Sequence, residues 1–303
     1  MSAVIADPIA TDGFVTRVAE LNEVRATDPG RIRRLLATRQ RRSPFGQDGK
    51  LMIIACDHPA RGALGAGGNP YAMASRTDLL DRLVTALAHP GVDGLLATAD
   101  IVEDLLLLGA LEHKVVFASM NRGGLQGSVF EMDDRQTGYD VAGVLESGLD
   151  GGKMLVRINL DDPGTVATLE LTGRAVSELN RAERIAMVEP FVSLHRDGKI
   201  ANDLSPEGVI RSVHIAQGLG ASSAYTWLKL PVVPDMARVM DATTLPTLLL
   251  GGDPDESPEE TYAAWRDALS LPSVRGLVVG RTMLYPADDD VAQAVDTAVS
   301  LVR

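Results

Sequence analysis

One cysteine, Cys56, stands in a chain of 303 residues, so no disulfide can form within it. A reducing compartment fits this, and a cytoplasmic location is expected. Aromatic residues are scarce, at 4%, so the core has to be built from Leu, Val, Ala, Ile and Met. Excess positive charge is also missing. The 29 basic residues face 41 acidic ones, for a net charge of −12. Such a surface disfavours nucleic acid and anionic membranes, although a site can still be locally positive within it. The longest apolar runs, such as Leu105 to Leu111, fall far short of the roughly 20 residues that span a bilayer. The opening MSAVIADPIATDGF carries two acids and no basic region, so it does not read as a secretory signal.

Other signatures are missing too. No G-x-G-x-x-G follows the first apolar run; Gly65-Ala-Gly-Gly68 comes nearest and lacks the spacing. No P-loop and no G-x-S-x-G occurs. The histidines are His58, His89, His113, His195 and His214, and none forms an H-x-x-x-H pair. A metal site is therefore not expected.

What is present is a globular composition, 45% hydrophobic and 23% charged, with a clear rhythm after residue 50. Eight short apolar runs recur. They begin with Leu51–Cys56, Gly94–Ala97, Val115–Ala118 and Lys153–Ile158. Ile185–Val188, Ala224–Leu228, Leu245–Leu250 and Gly276–Val279 follow. Most are continuous rather than alternating, as strands covered on both faces are. Helical stretches separate them, at 74–88, 138–147, 165–180, 206–219, 258–269 and 289–302. Strand alternating with helix predicts a parallel sheet. Eight such units predict a (β/α)₈ TIM barrel, with an open doubly wound sheet as the alternative. No Pro-, Gly- or Ser-rich linker divides the chain. Residues 46–303 are assigned to the barrel and residues 1–45 to an N-terminal helical extension, with helices over 13–22 and 28–42. The basic run Arg31, Arg33, Arg34, Arg39, Arg41, Arg42 suggests an RNA-binding arm in isolation. In an acidic chain a solvated helix face or a subunit contact accounts for it better.

Barrels keep their chemistry at the C-terminal ends of strands. The runs end in Asp57-His58-Pro59, Thr98-Ala99-Asp100, Ser119 to Gly124, Glu189-Pro190, Lys229, Gly251-Gly252-Asp253 and Gly280-Arg281. The fourth run contains Lys153 and Arg157. Lysine is the informative type. Only five occur, at 50, 114, 153, 199 and 229, against 24 arginines. Two of the five, Lys153 and Lys229, fall in runs that read as buried strand. A buried lysine costs several kcal/mol unless paired or neutral. Its pKa is expected to drop, which frees the amine to attack a carbonyl. With Asp57 and Glu189 at neighbouring strand ends, this pattern favours chemistry over a structural ion pair. Gly251, Gly252, Gly280 and Arg281 stand where many barrels bind phosphate, with backbone N–H groups close to the anion and a guanidinium fork beside it. Cys56 reads as core.

These residues resemble the lysine-dependent (class I) aldolases of the tagatose-bisphosphate and sulfofructose-phosphate group. The archaeal-type fructose-bisphosphate and deoxyribose-phosphate aldolases are similar at greater distance. The strongest likeness is to actinobacterial (β/α)₈ aldolase-like proteins found with inositol catabolism. The resemblance spans roughly residues 50–285. Ala55-Cys-Asp-His58 supplies the aspartate of the first strand, Lys153-Met-Leu-Val the lysine of the fourth, Val188-Glu-Pro190 the glutamate of the fifth. Trp227-Leu-Lys-Leu-Pro231 supplies the Schiff-base lysine of the sixth, without the family's aspartate three residues before it and with proline one residue sooner. A deoxyribose-phosphate aldolase would carry a further lysine on the seventh strand. Leu248 to Gly252 has none, so that activity ranks lower.

The resemblance implies a class I aldolase that cleaves a phosphorylated keto sugar with no cofactor and no metal. Lys229 would form the Schiff base. Lys153 would hold it partly neutral and bind a substrate oxygen. Glu189 or Asp57 would move protons. The implied substrate is 2-deoxy-5-keto-gluconate 6-phosphate, giving dihydroxyacetone phosphate and malonic semialdehyde. Arg61 and Arg122 would then meet the substrate carboxylate. Competing readings are a ketose-bisphosphate aldolase, a non-covalent isomerase or epimerase using Lys153 and Glu189, and a sugar-phosphate-binding protein. The expected partner is the small phosphorylated sugar, with no nucleic acid and no membrane. A homo-oligomer is expected.

Overall fold

The computed structural model describes residues 11–45, 49–196, 199–251 and 258–303. Nine strands occur among them: β1 (Leu51–Cys56), β2 (Gly94–Ala97), β3 (Val115–Ser119), β4 (Gly151–Ile158), β5 (Ile185–Arg196), β6 (Lys199–Asn202), β7 (Thr226–Leu230), β8 (Thr247–Leu250) and β9 (Val274–Val279). Eight of them form a closed parallel barrel in the order β1, β2, β3, β4, β5, β7, β8, β9, with β9 paired back to β1. The fold is thus a (β/α)₈ TIM barrel. The open-sheet alternative fails because β4 pairs both β3 and β5.

Alternation along each strand divides the core in two. Leu51, Ile53 and Ala55 join Leu96, Val115, Phe117, Ile185, Met187, Trp227, Leu248 and Val278 in one cluster, which fills the barrel. Met52, Ile54 and Cys56 belong to the other cluster, between strands and helices. Cys56 is buried there, as the sequence indicated. The same parity turns Lys153 and Arg157 inward beside Met187 and Glu189, and Lys229 two residues above Trp227. Along each strand the interior therefore passes from apolar to charged. Gly276 shows how tightly the barrel closes. Its φ is +123°, and a Cβ there would meet the Leu51 carbonyl oxygen at 1.9 Å.

The surrounding helices are α1 (Thr11–Thr27), α2 (Gly30–Thr38), α3 (Arg76–Ala88), α4 (Ala99–Leu107), α5 (Val141–Glu146), α6 (Gly164–Arg181), α7 (Pro206–Gln217), α8 (Met236–Asp241), α9 (Pro258–Leu269), α10 (Arg281–Leu284) and α11 (Val291–Val302). Three places differ from the sequence expectation. The second N-terminal helix ends at Thr38 rather than residue 42. From Arg39 the chain is extended, and three arginines of the basic run reach the N-terminal ends of the strands. Arg39 Nη1 donates to Lys114 O at 2.7 Å, Arg41 pairs with Asp150 at 2.9 Å, and Arg42 pairs with Asp93 at 2.6 Å. These side chains are bound to the barrel and do not form a free basic arm. Phe45 then places its ring 6.4 Å from Trp227. Secondly, Ala99 and Asp100 open α4, where Asp100 pairs with Arg76 at 2.9 Å. Thirdly, β5 runs beyond Glu189-Pro190 to Arg196 and pairs antiparallel with β6. No helix of the described residues is long and apolar enough to cross a membrane.

Candidate active site

At the C-terminal end of the barrel the inward side chains form a charged network. Asp57 leaves β1 fully buried. Its Oδ2 accepts from Ser119 Oγ at 2.9 Å, Arg122 Nε at 2.8 Å and Lys153 Nζ at 3.0 Å. Arg122 Nη2 stands 2.6 Å from the other oxygen as an ion pair, so the guanidinium faces both oxygens of Asp57 and hydrogen-bonds one of them. Lys153 Nζ also lies 2.5 Å from Glu189 Oε2. Glu189 Oε1 accepts from Lys229 Nζ at 2.7 Å. A chain of contacts thus runs Arg122–Asp57–Lys153–Glu189–Lys229, from the segments that follow β3 and β1 to strands β4, β5 and β7.

Burial opposes every charge in this chain, and the partners decide the outcome. Burial would raise Asp57, but Arg122 and then Lys153 hold its carboxyl well below the usual range. Glu189 is likewise opposed by burial, yet Lys153 and Lys229 hold it at about 2. Lys153 is pushed down, by burial first and by Arg122 next, against the pull of Asp57 and Glu189. His58 is pushed well below its ordinary value by burial and by Arg122, so its imidazole is neutral.

Above the network lies a cavity of about 280 Å³. Its charged lining is five cations (Arg61, Arg122, Arg157, Lys229 and Arg281) against two carboxylates, Glu131 and Glu189. In a chain of net charge −12 this is a local reversal of sign, suited to an anionic ligand. Gly251 and Gly280 line the cavity on the β8 and β9 side. Gly280 is required by packing, since a Cβ there would meet the Ala55 carbonyl oxygen at 2.4 Å. Thr282 Oγ1 donates to Gly251 O at 3.3 Å, and Arg281 Nη1 to Gly65 O at 3.4 Å.

The expected residues Lys229, Lys153, Glu189, Asp57, Gly251, Gly280, Arg281, Arg61 and Arg122 therefore converge on one end of the barrel. Gly252 lies outside the described residues. Arg122 differs in one respect from the expectation that it meets substrate directly. Its Nε and Nη2 are both spent on Asp57, so its first task is to hold that carboxylate.

Sequence reasoning missed five contributors. His58 was visible as the one histidine at a strand end, and its Nδ1 stands 3.6 Å from Asp57 Oδ1. Arg157 was visible four residues after Lys153 on the same strand, at the same inward parity. Phe191 and Asn202 enter from the β5–β6 hairpin, and no local signal marks them. Glu131 comes from the long segment between β3 and α5. Among the described residues no group of three or more His, Cys, Asp or Glu is placed to hold a metal ion.

A (β/α)₈ barrel with an anion-suited mouth and two buried lysines is the class that this fold and site define. The chain belongs to the Cgl0159-like family, whose model matches residues 49–299. The crystal structure of Cgl0159 from Corynebacterium glutamicum is 55% identical, with 95% of this chain and 97% of that chain covered and a TM-score of 0.92. A Schiff-base-forming fructose-1,6-bisphosphate aldolase shares 20% identity over 86% of this chain and 96% of its own, at a TM-score of 0.63. An archaeal fructose 1,6-bisphosphate aldolase shares 18% over 85% and 95%, at 0.64. At that identity these two likenesses concern the fold. No curated protein sequence matches the chain.

Proposed function

We propose that the protein is a class I aldolase that cleaves a phosphorylated keto sugar acid through a Schiff base on Lys229. The observation that carries this reading is the pair of buried lysines on one carboxylate: Lys229 and Lys153 lie 2.7 and 2.5 Å from the two oxygens of Glu189. Lys153 is held between Asp57 and Glu189, whereas Lys229 reaches Glu189 from the wall of the cavity, where a ligand carbonyl can meet its amine.

The reaction begins when Lys229, its extra proton released to solvent through the open mouth, adds as the free amine to the substrate ketone. The carbonyl π pair moves to oxygen, which takes up a proton. Loss of water from this carbinolamine leaves an iminium. A base then removes the proton from the hydroxyl one carbon beyond the neighbouring carbon. The carbon–carbon bond breaks, an aldehyde leaves, and the electron pair enters the iminium as an enamine. Protonation and hydrolysis return the amine and release the second product.

Glu189 is suited to the first proton transfers. In the resting site Lys153 and Lys229 hold it strongly ionised. Once the Lys229 nitrogen is bonded to the substrate carbon as a neutral carbinolamine, its hold on Glu189 weakens and Glu189 becomes a better base at that step. Lys153 remains to orient it. Asp57 and the neutral His58 form a second proton-handling pair on the β1 side. Gly251, Gly280 and Arg281 would receive the phosphate. Gly252, beyond the described residues, belongs to the same proposed loop.

The substrate we propose is 2-deoxy-5-keto-gluconate 6-phosphate, with dihydroxyacetone phosphate and malonic semialdehyde as products. Support comes from the resemblance to inositol-catabolism proteins and from a cationic cavity suited to a ligand with two anionic ends. A small-molecule partner, a cytoplasmic setting, a homo-oligomeric state and a barrel domain of 46–303 behind a 1–45 extension belong to the same proposal. Incubation with the proposed substrate, with each product assayed separately, tests it. Equimolar release of both products by wild type and none by Lys229→Met supports the reading. Turnover that survives in Lys229→Met overturns it.

A further inference from the structure

Glu131 occupies a place in the cavity that an external anion would fit. It lies between β3 and α5 and lines the cavity. Its Oε1 accepts from Arg61 Nη2 at 3.1 Å, and Arg157 Nη1 stands 3.7 Å from the same oxygen. Its Oε2 accepts from the Gly127 N–H at 2.7 Å.

Asp134, a few residues on, makes a useful contrast. It takes Arg157 Nε at 2.9 Å, Arg157 Nη2 at 2.7 Å and the Arg157 N–H at 3.0 Å, and its side chain is 1% exposed. That contact fixes Arg157 through its Nε and Nη2 and leaves Nη1 facing Glu131. The Glu131 side chain is 14% exposed and Arg61 17%, and each faces the cavity. Arg61 Nε is buried and has no hydrogen-bond partner among the described residues. A buried donor left unmade is costly and is relieved by an arriving acceptor.

Barrel order supplies the geometry. β9 stands four places from β4 in the closed ring of eight. Gly280 and Arg281, after β9, therefore lie across the mouth from Arg157 on β4. A ligand whose phosphate sits at the β8–β9 side has its far end directed toward Arg157 and Arg61.

We propose that Arg61 and Arg157 form a second anion subsite, and that Glu131 is a resident carboxylate which the far anionic group of a two-headed ligand displaces. Oε1 of Glu131 marks where a ligand oxygen goes. Glu131 then acts as a filter. A ligand with one anionic end leaves it in place, and a ligand with two gains the guanidinium pair. The cost of moving Glu131 lowers the apparent affinity for every two-headed ligand, as any closed minor population does. The inference rests on the proposed function only in placing the near phosphate at the β8–β9 side.

Calorimetry with ketone-free ligands separates the two questions, because none of these ligands can form a Schiff base. The probes are a hexitol 6-phosphate with one anionic end, gluconate 6-phosphate with a far carboxylate, and hexitol 1,6-bisphosphate with a far phosphate. The quantity read is the affinity ratio of each two-headed ligand to the one-headed ligand. Glu131→Gln keeps an acceptor for Gly127 and removes the competing charge. It is expected to raise the ratio at least about fivefold for the head group that the subsite takes. Arg61→Gln is expected to abolish the wild-type preference. The two-headed probe that responds identifies the head group as carboxylate or phosphate. Ratios unchanged in both variants, or no two-headed ligand bound by either wild type or Glu131→Gln, overturn the subsite. A shifted ratio alongside a failed Schiff-base trap retains the subsite and removes the aldolase reading.

Discussion

Lys229 Nζ lies 2.7 Å from Glu189 Oε1, where the barrel interior passes from the apolar layer of Met187 and Trp227 to a charged network. Because the second Glu189 oxygen faces Lys153 at 2.5 Å, the site keeps a cation when Lys229 is removed. Lys229→Met is therefore expected to fold and to bind phosphate esters, while substrate cleavage falls at least about a thousandfold. Steady-state rates beside a thermal melt and a ligand titration check this. Cleavage reduced only severalfold removes Lys229 from the nucleophile's role.

The same contacts set an acid limb of stability. Glu189 is held at about 2 in the folded protein against an ordinary 4.5, with burial outweighed by Lys153 and Lys229. Asp57 is held below 3.8, with burial outweighed chiefly by Arg122. The unfolded chain thus takes up these protons first as pH falls. The stabilisation is whole above about 4.5 and is lost on the way down toward 2. Urea midpoints measured from pH 6 to pH 3 are expected to fall, and Glu189→Gln to fall less steeply over that window. Equal slopes in the two proteins contradict this account of Glu189.

Arg122 is expected to matter more for stability than its place beside the cavity suggests. It faces both oxygens of a fully buried carboxylate and hydrogen-bonds one of them. Removing one partner of a buried pair costs about 3–5 kcal/mol when the remaining charge is uncompensated. Asp57 keeps Lys153 and Ser119, so Arg122→Met is expected to cost somewhat less, about 2–3 kcal/mol. Chemical denaturation at neutral pH measures it. A loss under about 0.5 kcal/mol, the range of an ordinary surface change, contradicts the importance of that contact.

Much of this architecture was legible in the sequence, and the exceptions have physical causes. The eight barrel strands announce themselves because strands covered on both faces need continuous apolar runs. Leu51–Cys56 and Gly276–Val279 are such runs. Lysine is rare in this chain, so Lys153 and Lys229 stood out against apolar neighbours. The β5–β6 hairpin did not, because its second strand is Lys199–Asn202, short and exposed. Glu131 and Asp134 lie in a segment whose sequence reads only as loop. Their roles come from Arg61 and Arg157, which are distant in the chain. The basic run near residue 40 misled for the same reason. Its partners Asp93 and Asp150 follow by 50 residues or more, and spacing alone cannot pair them.

Those partners give a prediction away from the site. Asp93 is buried and accepts from the Met52 N–H at 2.6 Å, while pairing with Arg42 at 2.6 Å and Arg303 at 2.6 Å. One carboxylate thus ties the N-terminal segment, β1 and the C-terminal residue. Asp93→Ala takes one partner from each of two guanidinium groups and leaves a buried N–H unpaired. It is expected to cost about 2–4 kcal/mol, with the specific rate of the folded protein in the proposed reaction retained at low temperature. A thermal melt paired with an activity assay separates these outcomes. Loss of rate without loss of stability contradicts the assignment.

Reductive trapping decides whether the lysine chemistry exists. The protein is incubated with dihydroxyacetone phosphate and borohydride, then read by intact mass and peptide mapping. One adduct is expected, on the peptide that contains Lys229, and none on Lys229→Met. An adduct on Lys153 moves the nucleophile. No adduct, with ligand binding confirmed separately, leaves the barrel as a non-covalent isomerase or a sugar-phosphate-binding protein.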